Sequence, residues 1–169
     1  MTHSQTHILA QLLANKAQRQ AFLNNKTSYL QRFNLDTEEC KTLLQIDRRQ
    51  LEKQAQGLLS KRWREVADLI PETVNTLGIR AYQHFLPYAE STWPNKTLKH
   101  FSDAYLFCKY LKERKLGTVN LFEMNRMYFI SRKKRFLIRV TQHHEKYALH
   151  ILIHGKGEHP SEGVLYLSI

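Results

Sequence analysis

The sequence predicts an α+β protein, an N-terminal helical bundle followed by a small C-terminal antiparallel β-sheet. Two observations carry this. Up to about residue 131 the apolar residues recur at helical spacing, and from residue 135 onward they alternate with period two. Residues 1–131 are accordingly read as the helical domain, and 132–169 as a β-rich segment packed on it in one compact unit. A strand before Thr118, or a helix across residues 149–153, would contradict this reading. A chain of 169 residues has room for a core that needs neither metal nor disulfide to fold.

The elements follow in order. Residues 5–24 form an amphipathic pattern with Ile8, Leu9, Leu12, Leu13, Phe22 and Leu23 on one side. A short helix over 26–33 carries Tyr29, Leu30 and Phe33. Asp36-Thr37-Glu38-Glu39 reads as a capping box, because an Asp at the cap and a Glu three residues later can satisfy each other's backbone donors. It opens a helix to about residue 46. Asp47, with Gln50 three residues on, opens the longest helix, over 48–70. Its stripe is Leu51, Ala55, Leu58, Leu59, Trp63, Val66, Ala67 and Ile70, with Lys53, Lys61, Arg62 and Arg64 mostly off it. Pro71 ends that helix and suits the first turn of a short one that Gly78 closes. Further helices are expected over 79–90, where Pro87 limits regularity, and over 97–115. Thr118 is read as the cap of the next helix, which runs to about residue 131. Strands are expected over 135–142, 147–154 and 164–169, with turns over 143–146 and 155–160.

Composition excludes several classes. The opening MTHSQTHILAQLLANKAQ lacks a basic n-region and a long apolar core, so no signal peptide is expected. No apolar run approaches ~20 residues, so no membrane partner is expected either and the protein is read as cytoplasmic. Cys40 and Cys108 sit in helical patterns and are read as reduced thiols, not a disulfide framework. There is no glycine-rich phosphate loop, no nucleophile elbow, and no base spaced to activate either cysteine. Five of the nine histidines (His143, His144, His150, His154 and His159) fall in the last 27 residues, with His150 and His154 on one face of a strand. No carboxylate stands at metal-motif spacing beside them and no cysteine is in the segment. Neither metal nor other cofactor is expected, and no catalytic residue is assigned.

Charge is where the sequence points to a partner. The chain carries a formal net charge of +11. Residues 96–146 hold 13 Lys+Arg against 4 Asp+Glu, a net +9, and the rest of the chain is nearly balanced. Such a field favours an acidic partner. Its centre is the run Arg132, Lys133, Lys134 and Arg135 at the helix-to-strand change, with Arg126 before it, Arg139 after it, and Tyr128, Phe129, Phe136 and Tyr147 interleaved. An acidic peptide could add as a strand beside the first β-strand while the cations hold its carboxylates. The peptide-binding residues on this reading are Arg126, Arg132, Lys133, Lys134, Arg135, Leu137, Arg139 and Tyr147. Alternation is expected to turn Phe136, Ile138 and Val140 toward the helices and Leu137, Arg139 and Thr141 outward. The competing partner is nucleic acid, which a basic patch with aromatics also suits. No helix-turn-helix, zinc-finger or ribonucleoprotein signature accompanies the patch.

Several stretches resemble a bacterial module. They are Arg19-xx-Phe22-Leu23, then Tyr29-Leu30-xx-Phe33-Asn34-Leu35 with Glu38-Glu39, and Leu58-Leu59-xx-Arg62-xxx-Val66-xx-Leu69-Ile70-Pro71-xx-Val74. The last is Asn120-Leu121-Phe122-Glu123, followed by a basic strand. Together they resemble the partner proteins of multinuclear non-heme iron-dependent oxidases, over about residues 16–140. The tail after Val140 has no counterpart in that pattern. The resemblance implies a non-catalytic accessory protein. It would bind a ribosomally made precursor peptide and present it to an iron-dependent oxidase subunit that holds the metals. The alternative function is a basic nucleic-acid-binding or regulatory module.

Overall fold

The computed structural model describes residues 5–93, 98–143, 146–154 and 160–167, with all side chains in these segments except those of residues 142, 143, 146 and 167. It is an α+β protein in which helices precede a three-stranded antiparallel sheet. The helical-then-β order matches the change of hydrophobic period. The chain groups into two compact units, and the boundaries fall at residues 62/63 and 88/89 and before residue 94, away from the change of period. None of the helices among the described residues is long and apolar enough to cross a membrane.

The first unit holds α1 (Gln5–Ala14), α2 (Lys16–Asn24), α3 (Lys26–Leu30), α4 (Thr37–Leu44), the first part of α5 (Arg48–Leu69) and the last residues of α7 (Arg80–Ser91). Ile8, Leu12, Phe22, Tyr29, Leu30, Leu43 and Leu51 form its core. The single helix expected over 5–24 is two. Asn15 breaks it, because its Oδ1 accepts from the Gln18 amide at 3.0 Å and starts a new N-terminus. Asn25 repeats the device for α3 through the Ser28 amide, and α3 stops at Leu30, short of Phe33. The capping box at Asp36 forms as expected: Asp36 Oδ1 accepts from the Glu39 amide at 2.8 Å, and Glu39 Oε2 from the Asp36 amide at 3.3 Å. Asp47 caps α5 through the Gln50 amide. Arg62 departs from the expectation that it lies off the buried stripe. It is buried, donates Nη1–H to the Ala89 carbonyl and lies over the Trp93 ring at 5.2 Å. A guanidinium tolerates burial when its donors are satisfied and its plane stacks on an aromatic face.

The second unit contains the remainder of α5 and α7, α6 (Pro71–Leu77), α8 (Lys99–Glu113), α9 (Leu121–Ser131), β1 (Phe136–His143), β2 (Lys146–Ile153) and β3 (Ser161–Leu167). Trp63, Phe85, Tyr88 and Phe107 pack edge-on and tilted at 5.2–6.3 Å in its helical core. Pro71 takes the first turn of α6, and Gly78 ends it at φ 57°. The cap of α9 is Asn120, not Thr118: Asn120 Oδ1 accepts from the Phe122 and Glu123 amides. Asn at this position answers two orphan donors with one oxygen.

Glu123, in the first turn of α9, is almost wholly buried. Its carboxylate does not fold back on its own helix. It accepts from the Glu72 amide at 2.7 Å, the Thr73 amide at 2.9 Å and the Thr73 hydroxyl at 2.7 Å. Ile70 offers α6 no side-chain cap, so a carboxylate from 50 residues away supplies it. Thr73 Oγ1 in turn accepts from the Asn120 amide at 3.0 Å. The N-termini of α6 and α9 therefore cap each other, with the negative charge where both helix dipoles favour it.

The sheet order is β1-β2-β3, and α9 packs against β1 and β2. The register pairs Leu137 with Leu152, Arg139 with His150 and Thr141 with Ala148. Leu152, His150, Ala148 and Thr141 are buried, while Phe136, Ile138 and Val140 are exposed. The expected faces are thus reversed: Leu137, Arg139 and Thr141 point to the helix and Phe136, Ile138 and Val140 point away. Period two separates two faces without saying which is buried. Here the polar groups of the inner face find partners on α9, and that decides it.

Replacing Glu123 by Gln should cost about 1–3 kcal/mol, because an amide nitrogen would face donors that need an acceptor. Glu123→Ala should cost more. The check is a urea titration in which the midpoint falls and the slope is unchanged.

Candidate functional site

The basic run is the C-terminus of α9 and the lead into β1. After Arg132 the chain makes a Schellman turn: the Lys133 amide donates to the Ile130 carbonyl and the Lys134 amide to the Phe129 carbonyl. Lys133 sits at the left-handed position, φ 49°, that glycine usually fills. Arg132, Lys133 and Lys134 around this helix C-terminus also complement its dipole. Arg132, Lys133, Lys134 and Arg135 are all exposed, and no carboxylate among the described residues pairs with them.

Among the described residues β1 pairs with β2 alone, which leaves its other edge open. The His154 amide donates to the Arg135 carbonyl at 3.0 Å. Residues 135 and 154 are therefore a hydrogen-bonded pair, and antiparallel alternation turns the amides and carbonyls of Phe136, Ile138 and Val140 toward the open edge. The four cations stand at the start of that edge.

The other sequence-nominated residues divide. Arg126 is committed elsewhere: its Nε–H donates to Glu162 Oε2 at 2.8 Å, and its Nη2 lies at 2.6 Å from the same oxygen. Arg139 lies over the Tyr128 ring at 5.3 Å on the inner face. Leu137 is half-buried on that face, and Tyr147 is exposed on the opposite one. The structure thus gathers Arg132–Arg135 at the open edge and does not bring Arg126, Leu137, Arg139 and Tyr147 to one surface with them.

His150, which the sequence marked only as part of a histidine-rich tail, is buried at the centre of the sheet. Its Nε2 lies 2.8 Å from Glu162 Oε1 and its Nδ1 lies 3.4 Å from Asn125 Nδ2. A carboxylate can only accept, so Nε2 carries the proton and Nδ1 receives the Asn125 amide. Phe122 meets the ring edge-on. Burial lowers the proton affinity of His150, against a smaller opposing pull from Glu162. His154 lies just past β2 and is exposed, and its ring is 6.3 Å from Phe129. His144 and His159 lie outside the described residues. No group of three metal-ligating side chains occurs among the described residues. Burial pushes the Cys108 thiol up to about 12, with Glu123 adding to the shift, so this thiol is no nucleophile. A cleft of about 710 Å³ is lined by Glu72, Thr76, Lys112, Lys115 and Thr118 among others, without a paired acid and base.

No family model matches the chain, and no curated protein or solved structure matches it.

Lys133→Gly should stabilise the protein by up to about 1 kcal/mol in chemical denaturation, because it relieves a side chain from a left-handed backbone. A pH dependence follows from His150. Its folded-state proton affinity lies below the ordinary value of 6.5. The unfolded chain therefore takes up the proton first as pH falls. The stabilisation is full above about pH 6.5 and is lost as pH drops through the folded-state value. His150→Gln should lose less stability than the wild type between about pH 7 and about pH 5, read as the difference of the two denaturation curves.

Proposed function

We propose that this chain is a non-catalytic accessory protein that binds a ribosomally made precursor peptide and presents it to a modifying iron-dependent oxidase. The observation that carries the reading is the open edge of β1 beside four exposed cations that no described carboxylate pairs with. An extended peptide entering there would meet outward amides and carbonyls at alternate residues, as strand addition requires. Arg132, Lys133, Lys134 and Arg135 would receive its carboxylates. The resemblance noted in the helical stretches supports the same role, and on that reading the metals belong to the oxidase. The chain would work in the cytoplasm, where a ribosomal product is made.

The cations set orientation and encounter rate more than final affinity. Exposed ion pairs are worth ~0–1 kcal/mol each, so no single substitution should abolish binding. Changing Arg132, Lys133, Lys134 and Arg135 together to serine should weaken binding of an acidic extended peptide about tenfold at low salt and flatten its salt dependence. The measurement is a fluorescence titration of both proteins with the peptide and with a random DNA duplex. Tight DNA binding with a steep salt slope, without peptide binding, would establish the nucleic-acid alternative. Binding of neither by the wild type would leave the run as a helix-capping surface only.

A further inference from the structure

The sheet turns its less polar side to solvent. Phe136, Ile138 and Val140 on β1, Tyr147 and Ile153 on β2 and Leu165 on β3 are 42–60% exposed. The register places them on one face: Phe136 pairs with Ile153, Val140 with Leu149, and Leu149 with Leu165. Every described side chain on that face is uncharged. Among the described side chains of the strands, the ionic groups Arg139, His150 and Glu162 lie on the other face with α9. Half-exposed side chains of this size leave on the order of 100 Å² each, so the six expose about 600 Å² of continuous apolar surface. That is the upper end of what monomeric soluble proteins expose as one patch, and such patches are often functional.

We infer that this face binds the same face of a second copy of the chain, giving a two-fold symmetric sandwich of two three-stranded sheets. Two features select this occupant. The face carries no charge and so gives a charged partner nothing to pair with, whereas a second copy brings an equally uncharged surface. The area also suffices: two such faces would bury roughly 1,200 Å², the lower limit for a specific stable interface. Electrostatics then chooses the symmetry axis. An axis along the strands would bring the two Arg132–Arg135 runs to the same end. An axis across the strands places them at opposite ends, which repulsion between the two basic runs favours in a chain of net charge +11. The sheets would lie ~10 Å apart with strands within ~30° of antiparallel alignment. Gly163, paired with Ile151, has open space where a side chain would stand. A side chain of the second copy can therefore approach the backbone there. Face-to-face packing leaves the β1 edges open, so the inference stands independently of peptide binding.

The test is sedimentation equilibrium of the full chain from about 1 to about 100 µM, a range that brackets the micromolar affinity expected of a small interface. The mass should rise from 20.1 kDa toward twice that value. The double variant Val140→Lys, Leu165→Lys should stay at the monomer mass throughout, with an unchanged circular dichroism spectrum. Should that variant fail to fold, methyl spectra of the wild type decide the matter. Ile138, Val140 and Leu165 signals should shift with concentration while those of Ile8 and Leu12 stay fixed. A wild type that remains monomeric at the top of the range overturns the inference. So does a dimer that survives the folded double variant, or concentration-dependent shifts confined to other methyls.

Discussion

The buried carboxylate of Glu123 is the constraint on which the β-bearing unit depends. It takes two amides and a hydroxyl from the first turn of α6, and Thr73 returns a bond to the amide of Asn120. These bonds fix where α9 begins. Everything beyond follows from the direction α9 then takes: its flank holds the inner face of the sheet, and its C-terminus delivers the basic run to the start of β1. A buried carboxylate without these donors would be costly to keep, and the donors without it would be orphaned. The arrangement is therefore all-or-none, which is what lets one side chain orient a helix.

Polarity in the sheet is inverted relative to the usual arrangement, and the reason is local. Arg126, Glu162, His150 and Asn125 form a connected set in which each member satisfies the next. Asn125 and His150 can be buried because their polar atoms find partners, while Arg126 and Glu162 carry the set out to solvent. Once α9 supplies Asn125 and Arg126, the inner face of β2 can carry a histidine and β3 can turn a glutamate inward. The apolar residues of β1 are then left outside by geometry, since alternate side chains have nowhere else to go.

The same inversion separates two kinds of surface that the sequence presents as one mixed segment. The edge of β1 is cationic at its start and rich in unpaired backbone groups. The outer face is apolar and uncharged. The first suits an extended ligand bearing carboxylates, and the second suits a matching flat surface. Because edge and face are orthogonal features of one strand, occupying one does not consume the other.

Much of this protein is determined by contacts within four residues along the chain, and those are legible in the sequence. The capping box of Asp36 with Glu39, the cap by Asp47, the Pro71 start and the Gly78 stop all formed where their residues stand. The change from helix to sheet also follows directly from the period of the apolar residues. Asn15 could have been read by the same logic, since its side chain is short enough to capture the Gln18 amide. What tertiary structure alone decided depends on partners far away in sequence. Nothing near Glu123 in the sequence announces its role, because its carboxylate accepts from Glu72 and Thr73 on α6, 50 residues away. Arg62 reads as a surface cation until the Ala89 carbonyl and Trp93 ring are brought to it. Which side of β1 is buried was undetermined for the same reason: alternation is symmetric, and only the donors and acceptors on α9 break the symmetry.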